Sequence, residues 1–506
     1  MKKITLFYLF LFQVLIAKPQ DFFFSSPVKI QATEKVTTYI RKGLIYSAVG
    51  LSWNVANSAF YIFAKDSGGV PWDISFKDLR KFEFIDIDNI EKVWIKHQLL
   101  NETFVNLLSK GHQYDVRHDM HNEAVNYMNA LRSNYRFYSD DFLEDFMYSI
   151  TLKIHKGVLD DKRPGNISIK IVTDTEPNAF CLPSGTLIIT TGLLSTIQSE
   201  DELAAVLAHE IAHFVLDHQI LNFNKELDRK KSAEFWATFA TVIAAGADAY
   251  LAANGRNNIP GVLTASTAIG SAILARETLN RLGVQYNYKQ ELEADQAAKD
   301  ILRVLKYDVL ALSAALSRIK NYSIQTGNYE ALYGSTTHPS INERIDQIGN
   351  VNDLAKFTKP TFLKKVSFVN TYNSRIELWY FGHHQAAMDL ADRNIKNGVG
   401  TESDYIVKSI VLRRLSNTVE SNQEALILLT KAKTLNVIPD ATIHKEEGIT
   451  YIRLSNKIEA KKCFQNYLSS LLELRNKIIA EDCKAIGSID NEISWARKMI
   501  YKVDSL

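Results

Sequence analysis

The sequence predicts a mainly α-helical protein with a small β-sheet, followed by an α-helical repeat domain. Three observations lead to this prediction. Residues 116–156 and most of the chain beyond 372 have a helical pattern, and two segments rich in Ile and Thr, at 167–174 and 186–191, have the composition of strands. Small and aromatic residues recur at similar intervals near the C-terminus. With 506 residues, 46% of them hydrophobic, the chain is long enough for two or three domains.

The N-terminus MKKITLFYLFLFQVLIA predicts a secretory signal peptide over 1–17, because two lysines precede an almost wholly apolar segment that is too short for a comfortable membrane span. A retained anchor or a buried helix is the alternative. The region 18–110 carries no motif that assigns it a role. The uncharged segments 43–64 and 257–275 contain many small and polar residues, so we interpret them as packed segments, with membrane helices as the alternative.

The C-terminal part of the chain has a repetitive helical pattern. Residues 351–372 contain a proline and several lysines, and we interpret them as a linker. Beyond them, small residues at Ala387, Ala425 and Ala460 recur at intervals slightly longer than the roughly 34 residues of a tetratricopeptide repeat. The sequence therefore predicts tetratricopeptide-like helical repeats over 370–506, with a generic helical bundle as the alternative.

One apolar helix carries an unusual set of polar residues. It is predicted to begin after Ser199, which can cap it together with Glu202 three residues later. It contains the motif HEIAH, in which His209 and His213 are one helical turn apart, so both imidazoles can bind one zinc ion. Glu210 can then act as general base on a water molecule at the ion. The alternative is a buried helix whose histidines only make hydrogen bonds in the core.

A catalytic zinc ion needs a third protein ligand. His218 is a poor candidate, because five residues beyond His213 it would point well around the helix. The segment YKQELEADQAAKD offers Glu291 as the ligand and, one turn later, Asp295 as a carboxylate that hydrogen-bonds a ligand histidine. Glu293 lies on roughly the opposite side of that helix and is the weaker candidate. A solvated acidic helix start is the alternative interpretation of the segment.

The motifs HEIAH, ELEAD and THPSINERI, with NAFCLPSGTLIITTGLL before them, resemble the HtpX/BepA-like zinc metallopeptidases, relatives of the CAAX prenyl endoproteases. The resemblance covers about 135–350, and the departures from the usual pattern at Cys181 and Ser184 change no ligand. It implies an α+β zincin-like catalytic domain, which we place at 111–350, with one zinc ion per chain. The signal peptide and the helical repeats resemble the periplasmic BepA-like branch.

The resemblance also implies roles for residues outside the zinc helix. It implies that His209, His213 and Glu291 bind the zinc ion and that Glu210 acts as the base. His338 matches the THP histidine, which in BepA-like proteins can approach the zinc and gate the site, and Arg344 matches the arginine that follows it. Either side chain could instead stabilise the oxyanion of a tetrahedral intermediate, so the assignment stays open. The strand 186–191 is expected to pair with an extended substrate backbone.

These features predict a zinc-dependent endopeptidase of the bacterial cell envelope, exported to the periplasm, that degrades misfolded or unassembled envelope polypeptides. One alternative is a non-catalytic chaperone or scaffold that binds envelope proteins through its helical repeats. Another is an integral membrane protease, and peripheral attachment to the membrane also stays open. A net charge of +2 and a pI near 8.1 give no reason to expect nucleic acid as a partner.

Overall fold

A computed structural model of the protein describes most of the chain beyond the predicted signal peptide. The described residues are 22–54, 56–105, 113–133, 136–155, 167–222, 234–241, 279, 281–328, 340–436, 440–480 and 486–505. They form two compact units, one before and one after residue 111. The predicted signal peptide, the uncharged segment 257–275 and His338 lie outside the described residues.

The N-terminal unit is a five-stranded antiparallel sheet with one helix packed against its first strand. Its elements are β1 (Phe22–Ala32), β2 (Ile45–Asn54), β3 (Ala59–Lys65), β4 (Pro71–Ile74), a 3₁₀ helix at Phe76–Lys81, β5 (Phe82–Ile85) and α1 (Ile90–Leu100). The strand order is β4-β3-β2-β1-β5. Val28, Ile30 and Ile62 are fully buried and alternate with more exposed neighbours, so one face of the sheet forms the apolar core.

The uncharged segment 43–64 forms most of the β2–β3 hairpin in this sheet. The alternative of a membrane helix is therefore wrong for this segment. Its apolar residues alternate along each strand and fill the core of the sheet, which accounts for the lack of charge. Among the helices that the structure describes, none has both the length and the apolar character needed to cross a membrane.

The second unit begins with helices around a three-stranded sheet. Its first elements are α2 (Gln113–Ser133), α3 (Asp141–Ile154), β6 (Ser168–Val172), β7 (Ala179–Cys181), β8 (Thr186–Thr190), α4 (Thr191–Thr196), α5 (Glu200–Val215), α6 (His218–Asn222), α7 (Tyr288–Leu305), α8 (Ala311–Thr326) and α9 (Ile341–Ile348). The predicted strands are confirmed as β6 and β8. Strand β8 lies in the centre, parallel to β6 and antiparallel to β7.

Helix α5 begins where the sequence predicts. The Ser199 hydroxyl accepts a hydrogen bond from the backbone N–H of Glu202 at 3.1 Å. The Glu202 carboxylate accepts in turn from the backbone N–H of Gln198, and it pairs with Arg318 of α8 at 2.6 Å. Because Glu202 is fully buried, this ion pair ties the first turn of α5 to α8.

The C-terminal part of the second unit is wholly helical where it is described. Its elements are a 3₁₀ helix at Leu354–Phe357, α10 (Pro360–Lys365), α11 (Ser367–Ile376), a π-helical segment at Glu377–Phe381, α12 (His384–Lys396), α13 (Glu402–Leu415), α14 (Val419–Lys433), α15 (Ala441–Arg453), α16 (Lys457–Ala480) and α17 (Ile486–Ser505). From α12 onwards each helix packs on the next. A Cβ atom at Gly448 would lie 2.6 Å from the buried ring of Phe464, so α15 needs glycine there to approach α16. The predicted fold class is confirmed, and the assignment as tetratricopeptide repeats stays a prediction.

The interpretation of 351–372 as a linker is wrong. Pro360 occupies the first turn of α10, where a proline is favoured, and Phe362 is buried. The segment also bonds to the region before α5: the N–H of Lys359 donates to the carbonyl of Gln198 at 2.9 Å. The C-terminal helices therefore continue directly from the packed core of the unit.

Asp174 lies directly after β6 in a buried position. Its Oδ1 atom accepts a hydrogen bond from the backbone N–H of Glu176 at 2.9 Å, and its Oδ2 atom accepts none among the described residues. Burial raises the pKa of Asp174 to about 7. The folded protein therefore keeps a proton on this carboxyl over a pH range in which the unfolded chain, with the ordinary pKa of 3.8, has lost it.

We expect the contribution of Asp174 to stability to fall as the pH rises from 3.8 to about 7, because only the folded state holds the proton there. Asp174→Asn cannot ionise and keeps an oxygen for Glu176. Thermal unfolding of both proteins at about pH 5 and about pH 8 measures the effect. The Tm of the variant relative to wild type should be higher at the upper pH, and an equal difference at both would show that Asp174 is ionised in the folded protein.

Candidate metal centre

Three potential metal ligands meet between α5 and α7. The Nε2 atoms of His209 and His213 lie 3.1 Å apart, and the Oε2 atom of Glu291 lies 3.4 Å from Nε2 of His209. All three ligand atoms lie within 4.8 Å of one another. Two ligand atoms about 2.0–2.1 Å from one tetrahedral zinc ion are about 3.3 Å apart, so these separations suit zinc.

The chemistry of the three residues also fits a metal ion. Two imidazoles and one carboxylate are a common ligand set for catalytic zinc. His213 is fully buried and His209 is 5% exposed. The Oε2 atom of Glu291 is buried and makes no hydrogen bond among the described residues, although it lies within ion-pair distance of two nitrogens. A bound cation would satisfy this oxygen.

Asp295 and Arg344 contact the other side of this cluster. The Oδ1 atom of Asp295 lies 2.8 Å from Nδ1 of His209, as the spacing on α7 predicts. Arg344, on α9, binds Asp295 through two nitrogens, Nε at 2.9 Å and Nη2 at 2.7 Å, and its Nη1 lies 3.2 Å from Glu291. The guanidinium therefore holds the two carboxylates of α7 in place.

The local charges favour a cation at His209. Burial and the Arg344 guanidinium both lower the pKa of His209, but the carboxylates of Asp295 and Glu291 outweigh them and raise it to about 9. The same carboxylates would stabilise a metal ion that takes the place of the proton.

Glu210 lies beside the ligands without joining them. It is 8% exposed, and its Oε1 atom is 4.0 Å from Nε2 of His209. Burial raises the pKa of Glu210 to about 7, and the neighbouring Glu291 also raises it. A carboxyl group with a pKa near neutrality can accept and return a proton at the same pH.

Sequence reasoning missed the surroundings of His213. The ring of Tyr286 stacks on its imidazole, with 3.5 Å between ring centroids and 7° between planes. His218, rejected as a ligand, lies with its Nδ1 atom 2.9 Å from Nδ1 of His213, and its Nε2 atom lies 3.2 Å from Glu293. Neither contact left a usable signal in the sequence, because Tyr286 is distant from His213 along the chain and the position of His218 depends on the left-handed backbone of Asp217.

Two further expectations have different outcomes. His338 lies outside the described residues, so its role as gate or oxyanion donor stays a prediction. The expectation that the strand 186–191 pairs with substrate is wrong, because β8 already pairs with β6 on one side and β7 on the other. The outer side of β7 is paired with no other described strand.

The small sheet, the buried helix α5 and the candidate ligands on α5 and α7 are the features of a zincin metallopeptidase domain. Residues 157–352 match peptidase family M48. The chain thus carries an M48 metalloprotease domain, which confirms the resemblance seen in the motifs.

Parts of the chain are also similar to individual proteases. A stretch of 181 residues is 32% identical to the mitochondrial metalloendopeptidase OMA1 of Schizosaccharomyces pombe and covers 36% of this chain and 45% of that protein. A stretch of 227 residues is 26% identical to a putative beta-barrel assembly-enhancing protease of Vibrio cholerae, over 43% of this chain and 41% of the relative. The beta-barrel assembly-enhancing protease of Escherichia coli is 21% identical over 278 residues, which are 54% of this chain and 51% of the relative. The chain thus spans about half the length of these curated relatives.

We expect Glu291→Ala to lose zinc, because it removes one of the three candidate ligands, while Lys289→Ala, an exposed change on the same helix, keeps it. Zinc content after purification and dialysis, measured by mass spectrometry, checks both variants. Retention of one zinc ion per chain by Glu291→Ala would show that a different residue completes the site.

Proposed function

We propose that this protein is a zinc-dependent endopeptidase that cleaves polypeptides of the bacterial cell envelope. The observation that supports it best is the convergence of the His209, His213 and Glu291 ligand atoms, with the buried carboxyl of Glu210 directly beside them. A purely structural metal site needs no base next to its ligands, so Glu210 favours catalysis over a scaffold role.

Zinc in this site would polarise the scissile carbonyl and make a water molecule more acidic. Glu210 takes the proton from the attacking water and then donates it to the leaving amine. Peptide hydrolysis needs no other proton carrier in this scheme.

Arg344 is proposed as a positioning residue. Its guanidinium already binds Asp295 and Glu291, so it is committed to the carboxylates of α7. This arrangement favours a role in holding the ligands over direct stabilisation of an oxyanion. Asp295 in turn orients His209 through Nδ1, which leaves Nε2 for the metal.

Strand β7 is proposed as the edge that binds an extended substrate. Asn178 and Leu182 form their backbone hydrogen bonds toward β8, so the alternation of an antiparallel pair directs those of Ala179 and Cys181 outward. Cys181 is fully buried and its carbonyl accepts from Gln219 at 2.7 Å, so the partly buried Ala179 carries the backbone groups that we propose for a substrate backbone. Burial and the nearby Glu210 carboxyl raise the pKa of the Cys181 thiol, so this edge runs close to the general base.

The proposed location is the periplasm, and the proposed task is quality control of envelope proteins. The predicted signal peptide supports export. Two relatives are named beta-barrel assembly-enhancing proteases, which supports envelope polypeptides as substrates. The C-terminal helices are proposed to bind envelope partner proteins.

We expect Glu210→Gln to keep zinc but to lose cleavage of an unfolded protein such as casein by about 10²–10⁴-fold, because the base is removed and no ligand is changed. The matched control is Glu200→Gln, a partly exposed change on the same helix that should cleave at the wild-type rate. Zinc content and cleavage are measured on the same preparations.

Equal turnover by wild type and Glu210→Gln would contradict the assignment of Glu210. A wild-type protein that holds zinc and cleaves no unfolded polypeptide would favour the scaffold alternative.

A further inference from the structure

A chain of three polar side chains leads away from the candidate metal centre. The Nδ1 atoms of His213 and His218 are 2.9 Å apart, and Nε2 of His218 is 3.2 Å from an Oε2 atom of Glu293. His213 and His218 are both almost completely buried, and the Glu293 side chain is 19% exposed. The chain therefore runs from the protein interior toward the surface.

The contact between His213 and His218 depends on a change of backbone direction. Helix α5 ends at Val215, and Asp217 has a φ of 65°, in the left-handed region. The next helix begins at His218, whose ring is thereby turned back onto His213, which a continuous helix would not allow. An ion pair with Arg117 of α2 fixes the Asp217 side chain.

Contacts with neighbouring elements also hold the position of His218. Its carbonyl accepts a hydrogen bond from the side chain of Gln290, on α7, at 3.3 Å. The next residue, Gln219, donates to the carbonyl of Cys181 on β7. The start of α6 is thus anchored to α7 and to β7.

The hydrogen bonds of the chain fit one arrangement of protons. If Nε2 of His213 binds a metal ion, Nδ1 carries the proton and must donate it. Nδ1 of His218 is the nearby acceptor, which leaves the proton of His218 on Nε2. That N–H then donates to the Glu293 carboxylate. Each nitrogen has a suitable partner only in this arrangement.

We propose that His218 and Glu293 are positioning residues that fix the tautomer and orientation of His213 for zinc. The proposal rests on the proposed function, in which His213 is a ligand. Helix α7 would then support both histidines of the motif: Asp295 contacts His209 directly, and Glu293 acts on His213 through His218. Three carboxylates at alternate positions of one helix would therefore each serve the metal site, Glu291 as the ligand itself.

The test measures zinc affinity by competition with a chromophoric chelator, without any substrate. Glu293→Ala should bind zinc about 10–100-fold more weakly than wild type, the usual effect of losing such a partner. Glu293→Gln keeps an oxygen for the His218 N–H and should fall closer to wild type. Lys289→Ala removes the other ion-pair partner of Glu293 and is the matched control, with unchanged affinity expected.

A double-mutant cycle distinguishes the chain from two separate effects. His218→Asn keeps an oxygen that can accept from His213 but does not extend to Glu293. If Glu293 acts through His218, Glu293→Ala should cause no further loss in the His218→Asn protein. Additive losses of affinity would overturn the proposal.

The partly exposed Glu293 keeps the test decisive even if His218→Asn fails to fold. Wild-type affinity in Glu293→Ala would overturn the proposal while leaving zinc binding intact. A wild-type protein that binds no zinc would instead contradict the proposed function itself. The unfolding temperature of each zinc-free variant confirms that the comparison is between folded proteins.

Discussion

The structure depends on a buried helix that carries groups which are costly to bury alone. His209, Glu210 and His213 lie in α5, where nearly every other side chain is apolar. An unpaired polar or charged group in such a place costs several kcal/mol, on the order of 2–7 for a neutral one. Helix α7 supplies part of the compensation, because Glu291 and Asp295 both contact His209. A cation bound by His209, His213 and Glu291 would complete this compensation.

The rest of the second unit holds that pair of helices in place. The buried Glu202–Arg318 ion pair joins the first turn of α5 to α8, and Arg318 also donates to the carbonyl of Leu354 at 2.9 Å. The amide of Asn373, on α11, donates to Ser195 at the end of α4 at 2.8 Å. The C-terminal helices therefore contact the segment that leads into α5. Loss of these contacts would act on the metal site through the start of its helix.

Helical periodicity was sufficient to predict which residues share a face of α5 and of α7. The one-turn spacing of His209 and His213, and the face that α7 presents, follow from 3.6 residues per turn. The position of His218 could not be predicted in this way, because it depends on the left-handed backbone of Asp217. The stacking of Tyr286 depends on contacts distant in the sequence. The N-terminal sheet was missed for another reason: register shifts interrupt the alternation in β1 and β2, and no motif marks these strands.

In the proposed metal centre, one zinc ion is bound by two imidazoles and one carboxylate between α5 and α7. X-ray absorption at the zinc edge of the purified full-length protein tests it most directly, since it reports the kind and distance of the ligand atoms. We expect one zinc ion per chain with nitrogen and oxygen ligands at about 2.0–2.2 Å and no sulfur. A spectrum with a sulfur ligand at about 2.3 Å, or a protein that holds no zinc, would contradict it.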